Sequence, residues 1–148
     1  MKGILFIFGA VLLLLLFLAG ALLVAGGRSG RAVSQAAVEI ERPAAEVFPW
    51  LTEPEKIVQW RAGPETESEI VALEPGRLLA QRLAGPGYAA GARYELEEAG
   101  GKTRLRCRVD SRYSGFPRKL LAPALTPRAQ WKLEEDLRRL KERVENAR

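Results

Sequence analysis

The stretch PRAQWKLEEDLRRLKERVEN, residues 127–146, carries the pattern that decides the fold of this chain. Apolar residues recur along it at the period of one helix face, and charged residues, including Lys132 and Asp136, are predicted to face water. A helix of this length is marginal alone in water, so its apolar side must be buried. The sequence predicts a C-terminal helix that packs through six residues: Leu125, Ala129, Leu133, Leu137, Leu140 and Val144.

The residues before this helix predict its partner, an antiparallel sheet of five strands. In the last strand Leu105, Cys107 and Val109 alternate with arginines, so one face is buried and the other is in water. Turn signals such as Pro75-Gly76 and Gly100-Gly101 separate the strands. The predicted strands are residues 36–41, 66–74, 77–84, 88–98 and 103–113.

Two short helices are predicted between the first and second strands. Pro43 begins one, which Pro49 is expected to kink or end, and the other begins near Pro54. Residues 114–126 contain Gly and Pro and are predicted to form a loop. Because this loop is both apolar and basic, it would suit contact with a bilayer or a gating role, and plain packing is the alternative.

The composition excludes several kinds of site. The chain has no histidine and one cysteine, Cys107, which excludes triads with an imidazole base, His-rich or Cys-rich metal sites and internal disulfides. The formal net charge is +5, but basic and acidic residues alternate. The alternating charges predict no nucleic-acid partner, and the lack of His and Cys predicts no metal site of those types. We also expect no cofactor and no metal ion.

The N-terminal residues predict a membrane anchor. Residues 3–27 contain no charged side chain, and a helix of 25 residues would extend roughly 37 Å, enough to cross a bilayer core of about 30 Å. A cleaved signal peptide is the alternative, since Lys2 precedes the apolar run and small residues end it.

The predicted organisation has three parts. Residues 1–27 form a single-pass transmembrane anchor, residues 28–35 a Gly/Ser/Arg linker, and residues 36–148 one domain. Arg28, Arg31 and Arg42 follow the apolar run, so the positive-inside rule favours a cytoplasmic position for the domain.

Four sequence segments resemble those of a known superfamily. They are VEIERPAAEVF at 38–48, LTEPEK at 51–56 with Trp60, the hairpin formed by YELE at 94–97 and GGKTRL at 100–105, and LRRLK at 137–141. The order of elements and these segments resemble the SRPBCC superfamily, the START-like group that includes polyketide cyclase/dehydrase-type proteins. The resemblance implies an α+β helix-grip fold, an antiparallel sheet wrapped on a long C-terminal helix. The uncharged run over 3–27 predicts one transmembrane helix before this fold.

One departure from the family concerns the width of the sheet. The family has a further pair of strands between positions that correspond to Trp60 and Thr66, and this chain leaves almost no residues for them. The cavity that such proteins enclose between sheet and helix is therefore expected to be open, shallow or filled.

The residues predicted to face that cavity form an apolar set with two tyrosine hydroxyls that would orient a ligand. Simple packing of these side chains on one another is the alternative. No catalytic residue is predicted, because Cys107 behaves as a small hydrophobe inside a strand. The candidate ligand-binding residues are Trp60, Tyr94, Leu96, Leu105, Cys107, Val109, Tyr113, Leu133 and Leu137.

These observations predict a membrane-tethered START-like domain that binds a hydrophobic small molecule or lipid without catalysis. A polyketide cyclase/dehydrase-like enzyme is one alternative, although no acid and base pair is evident. The other is an interaction module that holds no ligand, which a cavity of less than about 300 Å³ beneath the last helix would favour.

Overall fold

A computed structural model of the chain describes residues 9, 11–21, 30–63 and 66–147. Five strands form one sheet in the order β1-β5-β4-β3-β2, and each strand is antiparallel to its neighbours. This confirms the predicted five-stranded antiparallel sheet. The strands are β1 (Arg31–Ile40), β2 (Glu67–Glu74), β3 (Leu78–Gly85), β4 (Tyr88–Ala99) and β5 (Lys102–Tyr113).

Short helical turns connect β1 to β2, and one long helix follows β5. Where two short helices were predicted, the structure has three: α1 (Ala44–Val47), α2 (Pro49–Thr52) and α3 (Pro54–Ile57). Pro49 is the reason for the extra division, because a proline has no N–H and fits best at the first position of a new helix. The long helix is α4 (Arg118–Asn146), and it confirms the predicted C-terminal helix.

Helix α4 begins earlier than the sequence predicts. The loop predicted over 114–126 is wrong from Arg118 onward, because the helix continues through Pro123 and Pro127. Each proline removes one backbone donor, but the remaining hydrogen bonds persist and Ala122 is fully buried in this part of the helix. Tertiary packing thus outweighs the local preference of proline.

The predicted apolar face of α4 is buried in the C-terminal half of the helix, whereas Leu125 and Ala129 are only partly buried. Leu137, Leu140 and Val144 belong to the core and Leu133 packs against it, together with residues of the sheet such as Leu105. Burial of this face supplies the stability that a helix of this length lacks when it is isolated in water.

Polar side chains of α4 fix the helix along β1. Gln130 accepts a hydrogen bond from the Gln35 backbone N–H at 3.0 Å and donates one to the Gln35 carbonyl at 2.8 Å. Lys141 donates to the carbonyl of Glu39 at 2.9 Å, and the Glu145 carboxylate accepts from the N–H of Glu41 at 2.8 Å. The helix therefore covers the β1 side of the sheet, and β2 lies at the opposite edge.

The β2 strand is irregular and exposed. Its pairing with β3 shifts register between Ile70 and Ala72, which marks a β-bulge. Ile70 is 50% exposed and Leu73 is 49% exposed. Two apolar side chains of this edge strand are thus about half exposed to water.

The start of β1 corrects the predicted linker. Residues 31–35, assigned from sequence to the linker over 28–35, belong to the strand, so the sheet begins before the predicted domain boundary at Ala36. The Arg31 side chain reaches the Asp110 carboxylate on β5, with 2.9 Å between Nε and Oδ1, and this ion pair accompanies the ladder pairing of the two strands. A Gly/Ser/Arg composition was therefore a poor guide to where the strand starts.

The predicted membrane anchor over 1–27 falls mostly outside the described residues. Of this segment the structure describes residues 9 and 11–21, which are helical, and the large apolar side chains from Val11 to Leu18 are exposed. Within the described part of the chain, no helix combines the length and the apolar character needed to cross a membrane.

The packing of α4 predicts the effect of shortening its leucines. Leu140→Ala should lower the free energy of unfolding by about 2–5 kcal/mol, because it leaves a cavity in a fully buried position. Leu121→Ala on the same helix is the matched control and should cost less than about 1 kcal/mol, because Leu121 is exposed. Urea unfolding followed by tryptophan fluorescence measures both values. Equal losses of unfolding free energy in the two variants would contradict the burial of Leu140 against the sheet.

Candidate functional site

Eight of the nine residues predicted to line a pocket meet in one core, and the ninth lies apart. Tyr113 is half-buried near the end of β5, where its ring centroid is 5.5 Å from that of Tyr88. The other eight pack on one another, and their role as ligand contacts remains a prediction. They are Trp60, Tyr94, Leu96, Leu105, Cys107, Val109, Leu133 and Leu137.

A polar group that the sequence pattern did not predict enters this core. Arg61 donates a hydrogen bond from Nη2 to the hydroxyl oxygen of Tyr94 at 2.9 Å. Its guanidinium carbon lies 5.2 Å from the centroid of the Trp60 ring, a cation–π distance. Trp60 is itself held by a 2.8 Å hydrogen bond from its indole N–H to the carbonyl of Trp50. The partly buried side chain of Arg61 is thus positioned by Tyr94 and Trp60.

Tyr94 and Cys107 face each other across β4 and β5. Burial raises the pKa of the Cys107 thiol to about 12, although Tyr94 and Arg61 oppose this effect. Burial also raises the pKa of the Tyr94 hydroxyl well above its ordinary value. Both groups therefore stay protonated near neutral pH, where a thiol is a weak nucleophile and a phenol a weak base.

Asp136 is buried, which contradicts its predicted place on the solvated face of the C-terminal helix. Its carboxylate accepts a hydrogen bond from the Ala62 N–H at 3.2 Å and pairs with Lys132 one turn earlier, at 2.6 Å. A buried carboxylate is tolerated when it is paired and hydrogen-bonded. Asp136 thereby ties the loop that carries Arg61 to α4.

The inner face of the sheet continues from this core onto β3 and β2. Directly opposed residues of neighbouring strands share a face, so Ile70 lies beside Gln81 and Leu73 beside Leu79. We call the surface formed by Ile70, Leu73, Gln81 and Leu83 the β2–β3 face. Ile70 and Leu73 are about half exposed on this face, whereas Gln81 and the neighbouring Leu79 are buried.

Gln81 is the unusual residue of the β2–β3 face. It is only 5% exposed, and its Oε1 atom has no hydrogen-bond partner among the residues that the structure describes. Leaving a buried acceptor unpaired costs about 1–3 kcal/mol. The sequence carries one signal for it, a polar residue at an inward position of a strand between Leu79 and Leu83, and the predicted set of lining residues did not include it.

A separate cleft of about 760 Å³ lies between the first two short helices, the turn that joins β2 to β3, and the end of β4. Its lining includes Phe48, Arg77 and Glu98, and it shares only Leu96 with the predicted pocket residues. The Glu98 carboxylate accepts a hydrogen bond from the Ala44 N–H at 2.8 Å, so this polar group already has a structural role. The cleft is therefore not the space beneath the last helix that the sequence predicts.

No set of three or more His, Cys, Asp or Glu side chains in the described ranges is arranged to hold a metal ion. The polar groups described above are instead a guanidinium, an amide, a phenol, a thiol and the single carboxylate of Asp136. Their chemistry suits hydrogen bonding and charge recognition.

The fold has clear relatives among solved structures, although no protein-family model and no curated protein sequence matches the chain. DynU16, a protein of the dynemicin biosynthetic locus, is similar with a TM-score of 0.60 and 19% identity over 77% of this chain and 47% of DynU16. CalU16 from Micromonospora echinospora has a TM-score of 0.57 and 18% identity over 79% of this chain and 85% of CalU16. The Aha1 dimer from Colwellia psychrerythraea has a TM-score of 0.62 and 15% identity over 78% of this chain and 97% of that protein.

These likenesses establish the fold. The chain has the α+β helix-grip architecture that its sequence predicted, with five antiparallel strands and a long C-terminal helix. It spans about half the length of DynU16 and most of CalU16. At identities below 20%, likeness of fold carries no activity from one protein to another.

The buried thiol predicts slow alkylation. At pH 8, iodoacetamide should react with Cys107 of the folded chain at least about a hundredfold more slowly than with the chain unfolded in urea, since a raised pKa and burial both reduce the accessible thiolate. Mass spectrometry of timed samples measures both rates. Equal rates in the two states would show that the core around Tyr94 and Cys107 is open.

Proposed function

We propose that this chain binds a hydrophobic small molecule or lipid on the β2–β3 face, at the open side of the helix grip. The observation that carries the proposal is the pair of half-exposed apolar side chains Ile70 and Leu73 beside the buried Oε1 of Gln81, which has no partner in the described part of the chain. Ligand sites are mostly apolar and contain a few polar groups that fix orientation. The β2–β3 face has this composition.

Burial of apolar surface would drive the binding. Ile70 and Leu73 are each about half exposed, and a contiguous apolar surface on a folded domain often marks a site of interaction. A ligand that covers these two side chains would remove them from water and would offer a donor to Gln81. The eight packed residues of the predicted pocket would then form the floor of the site rather than its whole lining.

The proposal includes membership of the SRPBCC superfamily. The four sequence segments that resemble the family and the helix-grip neighbours both support it. DynU16 belongs to a biosynthetic locus, and a small-molecule ligand agrees with that setting. We assign no catalytic step, because burial raises the pKa of both Tyr94 and Cys107.

A membrane tether is the second part of the proposal. It is supported by the uncharged run over 3–27 and by the exposed apolar side chains of Val11 to Leu18 on a helical backbone. A helix that is apolar on all sides is suited to lipid rather than to water. The cytoplasmic orientation inferred from Arg28, Arg31 and Arg42 stays a prediction.

The ligand proposal predicts the effect of one substitution on the β2–β3 face. Native mass spectrometry of the full chain, released from mild detergent, should show a retained small molecule that is not detergent. Ile70→Asn should weaken its binding about fivefold, because roughly 1 kcal/mol of apolar burial is lost. Val58→Asn is the matched control, since Val58 is also exposed but follows α3 outside the face. Absence of any retained molecule, or equal loss in both variants, would reject the proposal.

The tether predicts how the chain fractionates. The full chain should remain in the membrane pellet after an alkaline carbonate wash. Leu13→Lys combined with Leu16→Lys should release it, because each charge at the centre of a spanning helix costs about 2.5–3.5 kcal/mol. The double alanine variant at the same positions should stay in the pellet. Release of the unaltered chain from the pellet would refute the tether, and the ligand proposal would be unaffected.

A further inference from the structure

We propose that the end of the sheet at which β1 begins binds the surface of a bilayer that contains anionic lipid. This inference rests on the membrane tether of the proposed function, and it adds the class of lipid and the surface of the domain that contacts it. Strands β1 and β4 begin at this end of the sheet, and β3 and β5 finish there. We call this surface the basic end, and its members are Arg31, Arg112, Phe116, Arg118 and Lys119.

The start of β1 brings three cations together. Arg31 lies directly opposite Arg112 on β5, so the two side chains share one face of the sheet. The residue before Arg31, Gly30, accepts a hydrogen bond from the Tyr113 N–H at 2.7 Å. A Cβ on Gly30 would lie 2.9 Å from Cγ of Lys119, so the stem of this lysine lies against the start of the strand. All three cations are exposed and surround the same strand terminus.

The turn between β3 and β4 holds the first turn of α4 at the same end. Arg118 donates a hydrogen bond from Nη1 to the carbonyl of Pro86. The Ser114 N–H donates to the carbonyl of Gly87 at 3.1 Å. Phe116 lies between these two anchored positions and is 85% exposed. A large aromatic side chain held beside cations is typical of a surface that enters the boundary between water and lipid.

The cations of the basic end outnumber its acids. Asp110 pairs with Arg31, and no carboxylate in the described part of the chain forms an ion pair with the other three cations. The hydrogen bond from Arg31 lowers the pKa of the Asp110 carboxyl, and the charges of Arg112 and Arg108 add to this effect. Glu67 begins β2 at the same end, but β2 is the opposite edge of the sheet. The field at the basic end is therefore positive.

The other end of the sheet has paired charges. Lys102, at the start of β5, pairs with Glu41 at 2.7 Å. Arg77, in the turn between β2 and β3, lies 3.5 Å from the carboxylate of Glu74. Pairs of opposite sign leave little net attraction for an anionic surface. The two ends of the sheet thus differ in how strongly they attract anionic lipid.

The tether brings the basic end to the bilayer. Consecutive Cα atoms are about 3.8 Å apart, so Gly30 lies at most roughly 11 Å from Gly27, the last residue of the uncharged run. With that run in the bilayer, the start of β1 lies close to the lipid headgroups. Each Lys or Arg near an anionic bilayer gains about 1 kcal/mol within about one Debye length, roughly 8–10 Å. Lipid is favoured over nucleic acid as the polyanion, because the tether already holds lipid within this range.

A fluorescent label at each end of the sheet tests this inference. Ser114→Cys provides a labelling site at the basic end and Ala99→Cys one at the other end, since both positions are exposed and the native Cys107 is buried. Each full chain carries the fluorophore NBD and is inserted into nanodiscs of phosphatidylcholine, or of equal parts of phosphatidylcholine and phosphatidylglycerol. Some headgroups in both nanodiscs carry a nitroxide, which quenches NBD on contact. The docking constant is the ratio of quenched to unquenched label.

The label at position 114 should show docking that depends on lipid charge and salt. At low salt its docking constant should be at least about tenfold larger in the anionic nanodiscs, because Arg112, Arg118 and Lys119 each add about 1 kcal/mol. The difference should fall to within about twofold at about 1 M NaCl, where the Debye length shortens to about 3 Å. The label at position 99 should stay unquenched in both kinds of nanodisc.

Two double variants locate the attraction on the domain. Arg112→Gln combined with Lys119→Gln should lower the docking constant in anionic nanodiscs about tenfold to thirtyfold, because two attractions of about 1 kcal/mol are lost. Arg77→Gln combined with Lys102→Gln is the matched control, since it removes the same charge from the other end. It should leave the docking constant within about twofold of its original value, because these positions lie beyond a Debye length from the bilayer. Slow alkylation of Cys107 in both variants would show that the core is still folded.

The outcomes separate this inference from the tether. A chain that elutes apart from both kinds of nanodisc would overturn the tether and this inference together. A chain that elutes with them and is quenched equally in both would overturn the inference and leave the tether standing, as would a preference that survives the Arg112→Gln and Lys119→Gln pair. Binding of a single-stranded oligonucleotide without docking on anionic nanodiscs would assign the surface to nucleic acid instead. A preference lost in that pair and kept in the control pair would support the inference.

Discussion

Burial of the leucine side of α4 against one side of the sheet is the interaction on which the rest of the structure depends. A helix is about 10–12 Å wide, and five strands at about 4.8 Å extend over roughly 19 Å, so one helix cannot cover the whole inner face. Because its polar contacts hold α4 to β1, the half-exposed apolar side chains of the inner face, Ile70 and Leu73, fall on β2 at the opposite edge. The open surface is thus a geometric result of a narrow sheet with a helix on one side.

The loop after the short helices completes the core and supplies its charge. Trp60 is buried, and the side chain of the next residue, Arg61, reaches the Tyr94 hydroxyl. Asp136 fixes this loop from the helix side through the Ala62 N–H. A segment that looks like a plain connection therefore joins helix and sheet and places a guanidinium beside a phenol.

The sequence predicted the elements better than it predicted the polar groups. Alternation in β5 and the helical period of α4 are local signals, and both were confirmed. The start of α4 was missed because the local rule for Pro123 does not include the burial of Ala122. Pro49 ended the first short helix as expected, and the count of short helices was missed because the same proline also begins a further helix.

Only the apolar part of the candidate site was predictable from the sequence. Periodicity identifies inward positions of strands, so eight of the nine predicted residues meet in the core, whereas Tyr113 lies near the end of its strand. Periodicity gives no direction for a loop side chain such as Arg61. It also assigns charged helix residues to water, which is wrong for Asp136 because its partner, the Ala62 N–H, is distant in sequence. Interior polar groups are specified by contacts that only the folded chain brings together.

The hydrogen bonds from α4 to the backbone of β1 have a consequence for self-association. An edge strand exposes N–H and C=O groups that can template pairing with another chain. Side chains of Gln130, Lys141 and Glu145 occupy such groups at Gln35, Glu39 and Glu41, and the bulge interrupts the other edge at β2. Neither border of the sheet therefore offers a regular template for amyloid-like stacking, and the domain can keep an apolar face open without recruiting copies of itself strand by strand.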